Sequence, residues 1–167
     1  MNNQLIKRGV IGLTILVLAV LAWTILNPAK DQGQLVIPES LAKLPRTELI
    51  TGPQAIEQIS RLHQTNIVIS QGYIATYGQG NQEVTLWISE SPTDAEGQAL
   101  FAVMDEKMPA SKMFTNREEL NLKGTKVIKV LGMGQEHYYW VKGKVNFWVA
   151  IGGLQPLDVL EEVMTKI

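Results

Sequence analysis

The chain has 167 residues, a formal net charge of −1, 46% hydrophobic residues and no cysteine. The length allows one domain with one hydrophobic core, and the missing cysteines exclude disulfide bonds, thiolate metal sites and a thiol nucleophile. The near-neutral charge argues against nucleic-acid binding, which requires a concentrated basic surface.

The first element is an uncharged apolar segment, Gly9–Leu26. A helix of that length spans roughly 27 Å, close to the hydrocarbon thickness of a bilayer. Lys7 and Arg8 precede the segment, and the first acidic residue is Asp31. This asymmetry predicts a cytoplasmic tail at residues 1–8, a transmembrane helix at 9–26 and an extracytoplasmic remainder. Because small extracytoplasmic domains without disulfides are common in bacteria, we expect a bacterial cell-membrane protein.

Two alternatives compete with an uncleaved anchor. A cleaved signal peptide is compatible with the small residues that end at Ala22. However, the apolar run continues through Trp23 to Leu26, whereas the apolar region of a signal peptide is usually shorter, and a tryptophan at that end suits a membrane interface. A buried helix of a soluble protein is the second alternative, but such a helix normally shows a polar face. The sequence therefore favours the anchor.

Residues 27–50 are predicted to form an extracytoplasmic linker, because four residues interrupt any long element. These are Pro28, Gly33, Pro38 and Pro45. The globular domain is predicted to span 51–167. It begins with an amphipathic helix from Pro53 to about His63, in which apolar residues recur at spacings of three and four.

Two β-hairpins are predicted from alternating apolar and polar residues. The first pairs strand 73–77 with strand 83–89 through the turn at 78–81. The second pairs 136–141 with 144–151 around Lys142-Gly143, and 126–131 forms a fifth strand. Between the first hairpin and the fifth strand we expect a helix with Ser91 as its N-cap, followed by an irregular segment at 110–123. A final helix begins at Pro156.

The predicted order is therefore α-β-β-α-β-β-β-α, an α+β domain. Helices that return after hairpins favour an antiparallel sheet of about five strands with the helices packed on one face. The sequence also suggests a duplicated hairpin–helix unit. Leu86–Ser89 is followed by a helix opened by Pro92, and Phe147–Ala150 is followed by one opened by Pro156.

The second hairpin supplies the candidate site residues. A turn at Lys142-Gly143 would pair Tyr139 with Asn146 and His137 with Trp148. One face would then be an apolar core, and the other would carry the candidate ligand- or partner-binding residues, joined by one tryptophan of the first hairpin. These candidates are Trp87, His137, Tyr139 and Trp148.

Two interpretations of this second face remain open. Exposed rings and an imidazole would suit ligand stacking or protein contact. Alternatively, the same residues pack beneath segment 112–123 or segment 35–44. A turn one residue longer would exchange the two faces, because a register slip of one residue inverts a strand.

No catalytic residue, metal site or cofactor is predicted. His63 and His137 are the two histidines, too few for a clustered metal site without cysteine. No serine lies in a nucleophile elbow, and the glycine pairs at 78–80 and 132–134 lack the context of a phosphate loop. An alternative hypothesis is a hydrolase that uses His137 with a nearby carboxylate.

The segment Gly132–Trp140 beside the hairpin–helix unit resembles the extracytoplasmic part of uncharacterised single-pass bacterial membrane proteins, over roughly Thr51–Ile167. The resemblance implies an exported bacterial domain and transfers no catalytic residue. We therefore expect a membrane-anchored, extracytoplasmic and non-catalytic domain that binds a partner protein or small ligand. The lipid bilayer, through residues 9–26, is its other partner, nucleic acid is not expected, and self-association is a third hypothesis.

Overall fold

The computed structural model describes residues 35–63 and 67–167. Within them, one sheet of eight strands has every neighbouring pair antiparallel. The strands are β1 (Ser40–Leu41), β2 (Leu44–Thr51), β3 (Gln71–Gln79), β4 (Gln82–Glu90), β5 (Phe114–Leu122), β6 (Thr125–Gly132), β7 (Gln135–Lys142) and β8 (Val145–Gly152). Their order across the sheet is β1-β2-β3-β4-β8-β7-β6-β5, so hairpins β3–β4 and β7–β8 meet at its centre.

Three α-helices accompany the sheet in the described residues. They are α1 (Gly52–His63), α2 (Asp94–Lys107) and α3 (Pro156–Lys166). The cap of α2 differs from the sequence prediction: the N-cap is Thr93, not Ser91, and its hydroxyl accepts a hydrogen bond from the Glu96 amide. The Thr93 hydroxyl also donates to the Glu96 carboxylate at 2.8 Å, which holds the cap and the first turn of the helix together.

The helices lie on both faces of the sheet. The first face carries Ile74, Trp87, Tyr139 and Trp148, which share strand registers. Helix α1 packs on it through Ala55 and Ile59, and α2 packs on it through Phe101 and Met104.

The second face carries Tyr77, Leu86, Trp140 and Phe147, all buried. Glu162 of α3 is close enough to Tyr77 to contribute to the raised pKa of its phenol, which burial chiefly lifts to about 12. The Glu162 carboxylate also accepts the Ala42 amide of the β1–β2 turn. Helix α3 therefore lies on the face opposite α1 and α2.

The predicted fold of about five strands with all helices on one face is wrong. Strands β1, β2 and β5 were not predicted from the sequence. Strand β5 lies at the sheet edge with mostly exposed polar side chains, so it has no alternating apolar pattern to detect. A bulge where Asn116 adopts a φ of 53° further interrupts it. Strand β2 begins with Leu44-Pro45, and its proline resembles a linker residue. It is tolerated because it lies near the start of the strand, before the β2–β3 register that begins at Arg46.

The two central hairpins meet through the antiparallel β4–β8 pair, but the duplicated hairpin–helix unit is not observed. Trp87 of β4 lies directly opposite Trp148 of β8, with Leu86 opposite Val149 and Ile88 opposite Phe147. The helices that follow the two hairpins lie on different faces, since α2 packs on the first face and α3 on the second.

Three features concern the N-terminal part of the chain. The predicted tail 1–8 and transmembrane segment 9–26 lie outside the described residues. Within 35–63 and 67–167, no helix has the length and apolar character needed to cross a bilayer. A compact unit runs from Ile37 to Ile167, so the end of the predicted linker 27–50 contributes strands β1 and β2 to the sheet.

Candidate functional site

The four residues singled out from the sequence all lie on the first face, and three of them touch. Tyr139 of β7 pairs with Trp148 of β8, and their rings stack at 4.9 Å between centroids and 5° between planes. His137 packs against Trp148 at 5.8 Å. Trp87 lies across the β4–β8 pair from Trp148 and packs with the α1 cluster instead.

The hairpin register differs from the predicted one by two residues. The turn is Gly143-Lys144, which places Lys142 opposite Val145 and His137 opposite Ala150. Gly143 takes a φ of 59° at the first central position, where type II′ turns favour glycine. Because a shift of two residues leaves every side chain on its face, the predicted face assignment is confirmed even though the pairing is wrong.

The first face is covered rather than open around these rings. Tyr139 and His137 are 0% and 1% exposed, and Trp148 is half-buried. Phe114, at the start of β5, packs edge-on against His137 at 5.0 Å and Trp148 at 5.2 Å. The interpretation that these residues pack beneath segment 112–123 therefore agrees with the structure. The alternative, in which the rings are displayed to solvent, does not describe His137 and Tyr139, which are buried.

The hydrogen bonds of His137 fix its tautomer. The Trp148 indole N–H donates to His137 Nδ1 at 3.0 Å. Because the indole nitrogen is a donor only, Nδ1 is unprotonated and the proton lies on Nε2. That N–H donates to the Gly132 carbonyl at 3.0 Å. Burial lowers the pKa of the imidazole, and the Gly132 hydrogen bond partly opposes this.

A second polar network joins this cluster to α2 and β5. The Tyr139 hydroxyl donates to Asp105 Oδ1 at 2.9 Å, and Arg117 holds the same carboxylate with two hydrogen bonds. The Arg117 hydrogen bond is the main cause of the lowered pKa of Asp105, with the Tyr139 hydroxyl adding to it. Burial, followed by the hydrogen bond to Asp105, raises the pKa of Tyr139.

These contacts determine what the cluster can do chemically. Both His137 nitrogens are occupied, one by a backbone carbonyl and one by an indole, and Asp105 is taken by Tyr139 and Arg117. No carboxylate of the described residues hydrogen-bonds the imidazole. The geometry that the hydrolase hypothesis requires around His137 is therefore not present there, and the cluster serves to fasten α2 and β5 to the sheet.

The described residues contain a different concave surface, a groove of about 700 Å³ between the β1–β2 turn and the start of α3. Such a volume is typical of small-ligand sites. Its polar lining comes from three separate segments of the chain: Lys43, Gln82, Gln155, Asp158 and Glu162.

The wall of this groove formed by the β1–β2 turn is held by a specific contact. Ala42 and Lys43 both have positive φ, 50° and 64°, as a two-residue type I′ turn requires. The Ala42 amide donates to Glu162 Oε2 at 2.8 Å, which ties the turn to α3. The pKa of Glu162 is lowered mainly by its hydrogen bond from Lys166, with the Ala42 amide contributing.

The groove carries charges of both signs. Lys43 on one wall and Asp158 on the other are exposed and form no ion pair with the residues that the structure describes. Sequence reasoning missed all of these residues. The proline-rich composition around Lys43 suggested a linker, and no local pattern relates it to Gln82 or Asp158.

Comparisons complete the description of the site. Searches against protein-family models, curated proteins and solved structures found no match for this chain. Across 35–63 and 67–167, no three histidine, aspartate or glutamate side chains converge in a way that could hold a metal ion.

Proposed function

We propose that this chain is a membrane-anchored, extracytoplasmic and non-catalytic binding domain whose binding surface is the groove between the β1–β2 turn and α3. The groove itself is the observation that carries the proposal. The aromatic face is filled by the protein's own Phe114 and α2, whereas the groove has a volume suited to a ligand or to a segment of a partner protein.

The membrane part of the proposal rests on the sequence. Gly9–Leu26 is uncharged and of bilayer length, and Lys7 and Arg8 stand on the side that the positive-inside rule assigns to the cytoplasm. This orientation would place the groove outside the cytoplasm.

The lining indicates which chemistry the groove would recognise. The groove is lined by Lys43 from the β1–β2 turn and by Asp158 and Glu162 from α3, and the amide side chains of Gln82 and Gln155 can donate and accept hydrogen bonds. Opposite charges on two walls suit an occupant that carries both signs. We therefore expect a short polar peptide segment of a partner protein or a small zwitterionic ligand.

A photo-crosslinking experiment in cells tests the partner-protein form of the proposal. A photoreactive amino acid is placed in the full-length chain at Gln82 or Gln155, and the matched control position is Glu57, an exposed residue of α1 outside the groove. We expect one discrete adduct from the groove positions and none from Glu57. Charge reversal at the rim, Lys43→Glu with Asp158→Lys, should remove that adduct.

The small-ligand form of the proposal is tested by adding a panel of zwitterionic dipeptides to the protein. Amide NMR shifts that change only at the groove, and that disappear in the charge-reversed chain, would support it. Two results together would overturn the assignment of the groove. The crosslinked adducts would form in equal yield at Glu57 and at the groove positions, and the dipeptides would cause the same NMR shifts in the charge-reversed chain as in the wild type.

A further inference from the structure

The corner of the sheet around His137 is built so that only a neutral imidazole fits. We call this set, formed by Phe114, Gly132, His137 and Trp148, the His137 corner. Its imidazole is 1% exposed and spans two strands, accepting from Trp148 on β8 and donating to Gly132 on β6. Phe114 closes the set from β5, and Gly132 is its strand partner.

A second proton on this imidazole would have no acceptor. It would go to Nδ1, which faces the Trp148 indole N–H, a group that can only donate. On the face of His137, Asp105 of α2 is paired with Arg117 of β5. Glu136 is paired with Lys129, and Glu118 lies opposite Lys129, which is itself opposite Tyr138, so these three are on the other face of the sheet. Strand β8 carries no charged residue between Val145 and Gly152. Protonation would therefore break one hydrogen bond and leave a buried, unpaired cation.

The corner fastens the start of β5, a strand at the sheet edge in which no residue is fully buried. Strand β5 is an edge strand, and its bulge removes regular pairing between Thr115 and Glu118. The start of β5 is held by its pairing with Leu131 and Gly132 of β6 and by the packing of Phe114 against His137 and Trp148. The Arg117–Asp105 pair holds the bulge that follows. Edge elements with few buried contacts open at low free-energy cost, without unfolding of the whole domain.

We propose that His137 is an acid-sensitive latch, whose protonation detaches the start of β5 from the sheet and exposes Phe114. Met113 and Met133 flank this corner and are already 62% and 70% exposed, so opening would extend an apolar surface at this end of the sheet. The proposal does not depend on the ligand of the groove. The lowered pKa of the buried imidazole agrees in direction with it, because the open state would bind the proton more readily.

Hydrogen–deuterium exchange of the full-length chain, from about pH 7.5 to about pH 4.5, tests the latch. After correction for intrinsic exchange, the open fraction of peptides covering 111–120 should rise by up to about tenfold per pH unit below about 6.5. Peptides covering β3 and β4 serve as the internal reference and should keep their protection. The variant His137→Gln should lose the pH dependence, and the matched variant His63→Gln should keep it.

Three results would overturn the proposal. One is protection of 111–120 that does not change with pH, and another is a pH dependence that survives in His137→Gln. The third is simultaneous opening of the corner and the β3–β4 reference. If His137→Gln does not fold, the imidazole NMR of His63→Gln decides, since His137 is then the chain's one histidine. If the His137 imidazole titrates with a midpoint below pH 6.5, and segment 111–120 opens over the same pH range, the latch is supported. A titration midpoint at pH 6.5 without opening of that segment overturns it.

Discussion

Arg117 holds Asp105 by two parallel hydrogen bonds, from Nε to Oδ1 and from Nη2 to Oδ2, both 2.8 Å long. The pair links the bulged edge strand β5 to α2, and Tyr139 donates a third hydrogen bond to the same carboxylate from the sheet. Bidentate geometry and partial burial make such a pair stronger than an ordinary surface ion pair. Asp105 therefore connects α2 to both β5 and β7.

Asp105→Asn should lower the free energy of unfolding by roughly 1–3 kcal/mol, because Arg117 loses its bidentate partner. Urea denaturation at neutral pH measures this. The matched control is Glu57→Gln, which breaks the exposed Glu57–Arg61 pair of α1 and should cost less than about 0.5 kcal/mol. Equal costs for the two variants would contradict the role of Asp105.

The lowered pKa of Asp105 predicts that the stability of the fold depends on pH. Because the pKa of Asp105 is lowered in the folded state, its contribution is fully present above its unfolded pKa of about 3.8 and is lost as pH falls through the folded pKa. The wild-type chain should thus lose stability below about pH 4 more steeply than Asp105→Asn does. Parallel curves of unfolding free energy against pH for the two chains would refute this assignment.

A pair of alanine variants tests the capping of α2. Thr93→Ala removes the hydroxyl that caps the helix and should cost about 1 kcal/mol. Ser91→Ala, two residues earlier, removes a buried hydroxyl oxygen that has no hydrogen-bond partner among the residues that the structure describes, so it should be neutral or stabilising by up to about 1 kcal/mol. Thermal unfolding of both variants decides between Thr93 and Ser91 as the N-cap.

Gly97→Ala tests how closely α2 approaches the sheet. An added Cβ would lie 2.7 Å from the Cα of Lys144 and 2.9 Å from its carbonyl oxygen, both of them backbone atoms. The helix would have to move away, which also threatens the hydrogen bond from Asn146 Nδ2 to the Gly97 carbonyl. We expect a loss of roughly 1–3 kcal/mol in unfolding free energy. Gln98→Ala, on the exposed side of the same turn, should change stability little.

The two central hairpins show what the sequence could predict. The alternation in β7 and β8 correctly separated Trp140 and Phe147 from Tyr139 and Trp148, because each strand has one face against each packed layer. The pairing was wrong by two residues, since alternation alone does not say whether Lys142 belongs to the turn or to the strand. Burial of the His137 side depended on α2 and β5, and β5 carries no apolar pattern of its own.

The groove could not be predicted from the sequence for a related reason. Lys43, Gln82 and Asp158 are far apart in the chain and come together only because β1 and β2 join the sheet beside β3 and α3 packs on the second face. Neither arrangement leaves a local signal at those residues. The sequence thus identified the interior aromatic residues and missed the surface with room for a ligand.

The most direct test of this account is the solvent exchange of the Trp148 indole proton, measured by NMR on the full-length chain at neutral pH. We predict a slowly exchanging proton with nuclear Overhauser contacts to His137, because the indole donates to Nδ1 beneath Phe114. A rapidly exchanging Trp148 indole without contacts to His137 would mean that the aromatic face is open, and it would contradict both the interior role of this cluster and the choice of the groove as the binding surface.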